Sequence, residues 1–328
     1  MDERLRQAWV SVQKAETKLV LTGVKLHPQE PIPPEARLDI DPSVRQVFAR
    51  AASCFDPKEI RARDYLVRFP FSTVRAVERQ LDALVTAGAL TGLRKGKYAL
   101  TAQGERTMRA LTERVGASID RLDLGVITED QVGRLLAYDR RILEALTESV
   151  QGSPSPIFEH RLRGLQPDYD PPKRWHHWQL AWTMIAAHED AEQQVREDRG
   201  IGPLAWFARH ELWFTARRPH RGRMQSCADL AKVAERYAPL ANPEEDCRAA
   251  LEELRKRGWI DGVGADCDLT DQGIEAADRD EDEVEERFLA RWPCLPGGEV
   301  EELKGIADAI NERCEELEQR FEATSRRR

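Results

Sequence analysis

The residues best suited to chemistry in this chain are cations and hydroxyls gathered in two short segments. A guanidinium can form two hydrogen bonds to a guanine edge, and hydroxyl and ammonium groups bond phosphate oxygens. This combination favours contact with double-stranded DNA. The candidates lie at the start of one predicted helix and around the turn that follows it: Ser72, Thr73, Arg75, Arg79, Arg94, Lys95 and Lys97.

Aromatic side chains form a second candidate site, for a small ligand. At helical spacing, one predicted helix carries Trp175, Trp178 and Trp182 on a single face, and the next carries Trp206, His210 and Trp213. Such stripes usually form a core, but they can also enclose a flat slot for a small aromatic or cationic molecule. Both interpretations stay open at this point.

Catalytic and metal-binding patterns are weak throughout the sequence. The histidines match no H-x-x-x-H or H-E-x-x-H spacing, and the chain has no G-x-S-x-G and no phosphate-binding glycine loop. Six scattered cysteines without a C-x-x-C pair favour a reducing compartment over a zinc site. We therefore expect no enzyme activity, no cofactor and no metal.

Two charged runs, one acidic and one basic, lie in the second half of the chain. The acidic run from Asp278 to Glu283 is expected to be a solvated helix face. The basic residues could touch DNA phosphate as an arm, or could pair with the acidic residues that follow, and we favour pairing slightly. They are Arg209, Arg217, Arg218, Arg221 and Arg223.

An internal repeat organises the elements that must position these residues. Residues 81–105 read LDALVTAGALTGLRKGKYALTAQGE, and residues 251–274 read LEELRKRGWIDGVGADCDLTDQGI. Each predicts a helix that ends at a glycine, a short hairpin, and a second helix that begins after a threonine. Helix, hairpin, helix is the back half of a winged helix-turn-helix, so the repeat indicates a duplicated domain.

The pattern LxxLxxxGxL…YxLTxxGe resembles the MarR-type winged helix of bacterial transcription regulators. The flanking stretches LAWFARHELWF (204–214) and ERFLARWPCL (286–295) are similar to a largely uncharacterised group of two-winged-helix proteins from GC-rich bacteria. The resemblance implies a mainly α fold with small β-wings, in which two winged helix-turn-helix domains are joined and flanked by helices. It also implies a regulator that responds to small aromatic compounds and dimerises through its terminal helices.

Charge separates the two copies. Residues 43–115 hold 14 Lys and Arg against 7 Asp and Glu, whereas residues 224–285 hold 7 against 18. Phosphate contact requires cations, so we expect only the first copy to bind DNA. The second copy replaces the candidate DNA residues by neutral or acidic ones: Asn242, Pro243, Glu245, Ala249, Gly264, Ala265 and Asp266.

Composition and length suit a multi-domain protein of the cytoplasm. The 328 residues have a mean hydropathy of −0.60, no apolar run of 18 residues, and no basic-then-apolar start typical of a signal peptide. Before the repeat a Pro-rich connection follows the first helix. The predicted segments are 1–42 (N-terminal helix and connection), 43–150 (basic winged helix and following helices), 151–172 (Pro-rich linker), 173–223 (Trp-rich helices), 224–297 (acidic winged helix) and 298–328 (C-terminal helix and Arg tail).

The sequence leaves two interpretations of the assembly and three of the function open. A 3–4 spaced seam on the last helix could form a homodimer with the Trp9 stripe, or could close a monomer whose two copies imitate a dimer. A DNA-binding transcriptional regulator is our preferred function. The alternatives are a protein-interaction scaffold or DNA mimic, and a metal- or ligand-binding helical-bundle enzyme. The seam residues are Leu303, Ile306, Ile310, Cys314, Leu317 and Phe321.

Overall fold

A computed structural model describes residues 2–27, 31–40, 60–65, 74–125, 127–149, 155–163, 173–217, 244–262, 267–292 and 295–325. Over these ranges the protein is mainly helical and carries two small antiparallel sheets. The mainly α class with small β hairpins is therefore confirmed. None of the helices in these ranges combines the length and the apolar content that crossing a membrane requires.

Most of the described chain belongs to α-helices. In chain order they are α1 (Glu3–Leu26), α2 (Ala62–Tyr65), α3 (Val74–Thr86), α4 (Ala102–Asp120), α5 (Glu129–Ser149), α6 (Pro156–Arg163), α7 (Arg174–Asp198), α8 (Pro203–Arg217), α9 (Glu244–Lys256), α10 (Asp271–Leu289) and α11 (Gly297–Ser325).

Both sheets are antiparallel, and each contains the hairpin of one repeated segment. Strands β1 (Ile60–Arg61), β2 (Leu90–Leu93) and β3 (Lys97–Leu100) form a sheet in the order β1–β3–β2. Strands β4 (Ile260–Asp261) and β5 (Asp268–Leu269) form a two-stranded hairpin. The sequence did not predict β1, because two residues are too few to show an alternating pattern.

The chain divides into two compact units, each built from separated parts of the sequence. Unit 1 comprises Met1–Arg37, Glu105–Asp190 and Glu285–Arg328, and unit 2 comprises Leu38–Gly104 and Ala191–Val284. Both repeated hairpins therefore belong to unit 2.

The two ends of the chain meet inside unit 1. Helices α1 and α11 pack side by side and run parallel, since contacts advance together along both. The hydrogen-bonded pairs are Ser11 with Asp308 (2.6 Å), Thr22 with Glu318 (2.6 Å) and Lys25 with Glu322 (2.8 Å).

The apolar seam of α11 lies mostly against this partner helix. Its first four residues, Leu303 to Cys314 at 3–4 spacing, are buried, whereas Phe321 near the end is 40% exposed. On the α1 side, Trp9 is buried and packs on Phe288, with ring centroids 4.6 Å apart. The first four seam residues are thus covered within the chain by its own first helix.

The Pro-rich segment 151–172, expected to be a linker, contains a helix. Pro156 begins α6, where its fixed φ suits the first helical position and its missing N–H costs nothing. The Ile157 and Phe158 side chains are buried, and their backbone N–H groups donate to the two oxygens of Asp190 on α7 (3.0 and 2.9 Å). Proline here starts a helix instead of preventing one.

The repeated segments share the hydrogen bonds that end their first helices. At the end of α3, Gly88 N–H donates to Val85 (2.9 Å) and Ala89 N–H to Leu84 (2.9 Å). The end of α9 repeats both bonds, from Gly258 to Arg255 (2.9 Å) and from Trp259 to Leu254 (3.0 Å). Gly88 and Gly258 have φ of 77° and 71°, the left-handed geometry that this helix cap requires.

The segments also share the start of their second helices. The Thr101 hydroxyl donates to the Gly88 carbonyl (2.7 Å) and accepts from Gly104 N–H (2.9 Å). Thr270 makes the same two bonds, with Gly258 (2.7 Å) and Gly273 (3.0 Å). One threonine therefore caps the second helix and ties it to the end of the first in both segments.

Candidate nucleic-acid interface

Helix α3 presents a polar face opposite an apolar face that is buried except at Val74, which is 40% exposed. Val77, Leu81 and Leu84 are buried, at the spacing that the sequence predicts. Arg79 lies on the other side and is exposed. Arg75 is in the first turn of α3, but its side chain, like the whole of Ser72 and Thr73, lies outside the described residues.

The hairpin that follows carries its cations at and beside the tip. Arg94 and Lys95 are exposed in the turn, and Lys97 is half-buried at the start of β3. Lys95 and Gly96 both have positive φ, 65° and 64°. A non-glycine residue in this region is uncommon and costs about 1 kcal/mol, so the turn holds the lysine in an unfavourable backbone conformation.

A hydrogen bond ties the hairpin to α3. The Tyr98 hydroxyl donates to Oδ1 of Asp82, at 2.9 Å, and the tyrosine is 7% exposed. Burial, together with this hydrogen bond and the nearby Asp82 and Glu78 charges, raises the pKa of Tyr98 to about 12. The phenol therefore stays protonated and keeps donating at any physiological pH, which fixes the hairpin relative to the helix.

Three of the candidate cations are not ion-paired within the part of the protein that the structure describes. Among the described residues, Arg79, Arg94 and Lys95 form no ion pair, whereas many cations of unit 1 do. Unpaired cations on a helix and an adjoining hairpin leave a positive surface open to an anionic partner.

The second repeated segment shares the helix caps of the first and also has a hairpin, but its surface chemistry differs. On α9, Glu245 and Ala249 are exposed where the first copy places Arg75 and Arg79, so the helix face is acidic or neutral. The tip residues 264–266, like Asn242 and Pro243, lie outside the described residues. Cys267 occupies the place of Tyr98 and accepts a hydrogen bond from Arg255 at 3.2 Å.

In the aromatic stripe of α7, Trp178 is part of the unit 1 core, whereas Trp175 and Trp182 are half-buried. Trp178 is 9% exposed and stacks on Trp182, with ring centroids 5.6 Å apart. The Arg161 guanidinium lies 4.1 Å from the Trp182 ring centroid, a cation–π contact. Trp175 packs over Gly116, where a Cβ would come within 3.1 Å of its indole.

The aromatic residues of α8 are held by carboxylates in unit 2. The Trp206 indole N–H donates to Glu192 (2.6 Å), and the Trp213 indole N–H donates to Asp278 (2.8 Å). His210 Nδ1 lies 3.1 Å from Glu281 Oε1. The six predicted ligand residues are thus engaged by protein groups within their own units, and Trp178 and Trp206 are buried.

Asp280 was missed by sequence reasoning, which expected its acidic run to be solvated. It is fully buried and accepts hydrogen bonds from Arg209 Nη1 (2.6 Å) and Arg199 Nε (2.9 Å), and Arg199 also bonds Glu283. Arg209 is 2% exposed, so it cannot act as a DNA-binding arm. Arg209 pairs instead with Asp280 of the acidic run, as the other interpretation holds for this residue; the Arg217 side chain and the whole of Arg218, Arg221 and Arg223 lie outside the described residues.

A buried Asp–His pair was also missed. His177 Nδ1 lies 2.6 Å from Asp139 Oδ2, and both side chains are at most 1% exposed. Burial raises the pKa of Asp139, and it also raises that of Glu16. The only sequence signal was a histidine on the apolar face of a predicted helix, and the partner carboxylate lies 38 residues away.

Within the described ranges, no group of three His, Cys, Asp or Glu side chains is arranged to hold a metal ion. Comparison with protein-family models gave no match for this chain, and neither did comparison with curated proteins or with solved structures.

Proposed function

We propose that this protein is a DNA-binding transcriptional regulator in which the first of two winged-helix copies contacts the duplex. The observation that carries the proposal is the set of exposed, unpaired cations Arg79, Arg94 and Lys95 on α3 and the β2–β3 hairpin. In helix-turn-helix docking a helix at this place enters the major groove, and a basic hairpin suits the backbone or the minor groove.

The winged-helix assignment is supported by local geometry. A short strand before α2 joins the hairpin in the order β1–β3–β2, so the elements run strand, helix, helix, hairpin along the chain. The duplication is supported by the matched caps at Gly88 and Gly258 and the matched threonines Thr101 and Thr270. Both features agree with the resemblance to MarR-type regulators.

The second copy and the Trp-rich helices form the regulatory or assembly half in this proposal. The acidic surface of α9 repels phosphate, so one chain supplies one DNA-contacting copy. A homodimer would then be needed to occupy two half-sites. A small aromatic effector remains a proposal from the resemblance, since the described indoles are engaged by protein groups.

The test is binding of the full chain to random-sequence duplex DNA across a salt series. We expect the affinity of the wild type to fall steeply as the salt concentration rises. Replacing Arg79, Arg94 and Lys95 together by glutamine should reduce the magnitude of the slope of log K against log salt by about 2 to 3, because each lost phosphate contact removes about 0.9. The matched control neutralises three cations of unit 1 that are ion-paired: Lys25, Arg134 and Arg141.

The control triple variant should bind DNA like the wild type. No binding by the wild-type protein at low salt would overturn the proposal. It would favour the scaffold or DNA-mimic alternative, whose basic partner could be captured on the acidic second copy.

A further inference from the structure

Helix α3 carries an exposed carboxylate within the surface proposed to face DNA. Glu78 directly precedes Arg79, and both side chains are exposed. Asp82, about one helical turn after Glu78, accepts the Tyr98 hydroxyl of the β2–β3 hairpin at 2.9 Å. Residues four positions apart lie on the same side of a helix, so Glu78 lies on the side of α3 that faces the hairpin. Its carboxylate is thus flanked by Arg79 and by the hairpin.

The charge of Glu78 opposes the binding of any duplex. Glu78 forms no ion pair within the part of the chain that the structure describes. Asp82, at position i+4 on the same side, carries a like charge, and such a pair destabilises a helix slightly. Beside a duplex, the carboxylate of Glu78 would also repel the phosphates. A surface that only had to hold the DNA backbone would gain nothing from this residue.

A carboxylate can, however, accept hydrogen bonds from bases. In the major groove only the N4 amine of cytosine and the N6 amine of adenine are donors. Adenine places its N7 acceptor beside the amine, and this acceptor repels a carboxylate, whereas cytosine presents its amine with no acceptor of its own in the groove. An ionised glutamate accepts and does not donate, so it fits cytosine best among the four bases.

We propose that Glu78 accepts a hydrogen bond from the exocyclic amine of a cytosine, and so determines the sequence preference at one base pair. The inference rests on the proposed function, in which α3 enters the major groove. Arg79 and the hairpin tip supply affinity for the duplex. Glu78 lowers that affinity for DNA in general and increases the difference in affinity between one sequence and another.

The experiment compares the full-length wild type with Glu78→Gln and with Glu144→Gln, an equal charge change at an exposed position of α5. Each protein selects duplexes from a random-sequence pool, and the enriched sites are sequenced. Fluorescence anisotropy then measures binding to random-sequence duplex, to the wild-type site, and to that site with each cytosine replaced in turn. Circular dichroism verifies that the variants are folded.

We expect the wild type to prefer cytosine at one position by about tenfold, and Glu78→Gln to lose this preference, because a glutamine amide pairs better with adenine. Glu78→Gln should also bind random-sequence duplex about twofold more tightly near 0.1 M salt, because one charge that repels phosphate is gone. Glu144→Gln should match the wild type in both measurements.

A wild-type site with no preferred cytosine, or the same preference in Glu78→Gln, would overturn this inference and leave the proposed function standing. Weaker binding of Glu78→Gln to random-sequence duplex would also overturn the inference alone. A wild-type protein that binds no duplex at low salt would overturn both the inference and the proposed function.

Discussion

Asp190 is a single residue on which the start of a helix depends. Its two carboxyl oxygens accept the Ile157 and Phe158 N–H groups at the beginning of α6, although the side chain is buried. Burial raises its pKa to about 7, against the opposing effect of those two hydrogen bonds. Its ionisation therefore falls in the physiological range.

The stability of the protein should consequently depend on pH through Asp190. Below about pH 4 the Asp190 carboxyl is protonated in both the folded and the unfolded chain, and its contribution to the free energy of unfolding is fully present. From about pH 4 to pH 7 only the folded chain keeps the proton, so the free energy of unfolding falls by about 1.4 kcal/mol per pH unit. Above the folded pKa the contribution is lost.

Asp190→Asn should remove the part of the pH dependence of the free energy of unfolding that comes from Asp190. Urea unfolding between pH 4.5 and 8 measures this part as the difference between the slopes of the wild type and the variant. Other buried carboxyls with raised pKa, such as Asp139 and Glu16, cancel in that difference. Glu144→Gln, an exposed change on α5, should leave the slope unchanged. Equal slopes for wild type and Asp190→Asn would show that Asp190 titrates near its ordinary value.

Among the elements, the repeated helix–hairpin–helix segments depend on a close backbone approach. Gly104 and Gly273 each sit in the first turn of the second helix, under the carbonyl of Ala89 or Trp259. A Cβ on either glycine would come within 2.1 Å of that carbonyl oxygen. A backbone oxygen cannot move aside as the end of a flexible side chain can, so the helix itself would have to shift.

Gly104→Ala and Gly273→Ala should therefore each destabilise the protein by about 3 kcal/mol or more, the upper range for overpacking. Gly133→Ala is the matched control, since it lies inside α5 with nothing within 4 Å of its added Cβ. That change should stabilise by about 0.5–1 kcal/mol. Chemical denaturation followed by Trp fluorescence and circular dichroism measures all three, and equal effects at the three glycines would contradict the close approach.

For the whole molecule, the parallel pairing of α1 and α11 joins the two chain ends. Polar contacts such as the one between Ser11 and Asp308 accompany the buried seam, and the amide of Asn311 donates to the Ser11 carbonyl at 3.1 Å. The seam that could have dimerised two chains is thus already occupied by the chain's own first helix. A homodimer, if DNA binding uses one, would need another surface.

A cysteine pair tests this arrangement. Ser11→Cys with Asp308→Cys should form an intramolecular disulfide under mild oxidation, because the two side chains already touch at 2.6 Å. Ser11→Cys with Glu322→Cys is the out-of-register control and should not cross-link. Non-reducing electrophoresis distinguishes the outcomes, and a covalent dimer from the first pair would show that α1 covers the seam of a second chain.

Local features of the fold were predictable because they depend on residues close in sequence. Gly88 and Gly258 end helices by adopting positive φ, and Thr101 and Thr270 cap helices three residues downstream. Because these interactions span only a few positions, the repeated sequence predicts both helix–hairpin–helix segments. The exposed cations of α3 and the hairpin tip followed from the same local register.

The sequence by itself determined the helices and hairpins of the two repeated segments and the contrast in charge between them, since composition and short-range hydrogen bonds decide these. Only the tertiary structure decided that Asp280 is buried with Arg209, 71 residues away, and that α1 covers α11, 297 residues away at Ser11 and Asp308. Burial and pairing depend on which distant segments of the chain come into contact, and the sequence pattern of one segment does not show which other segment it contacts.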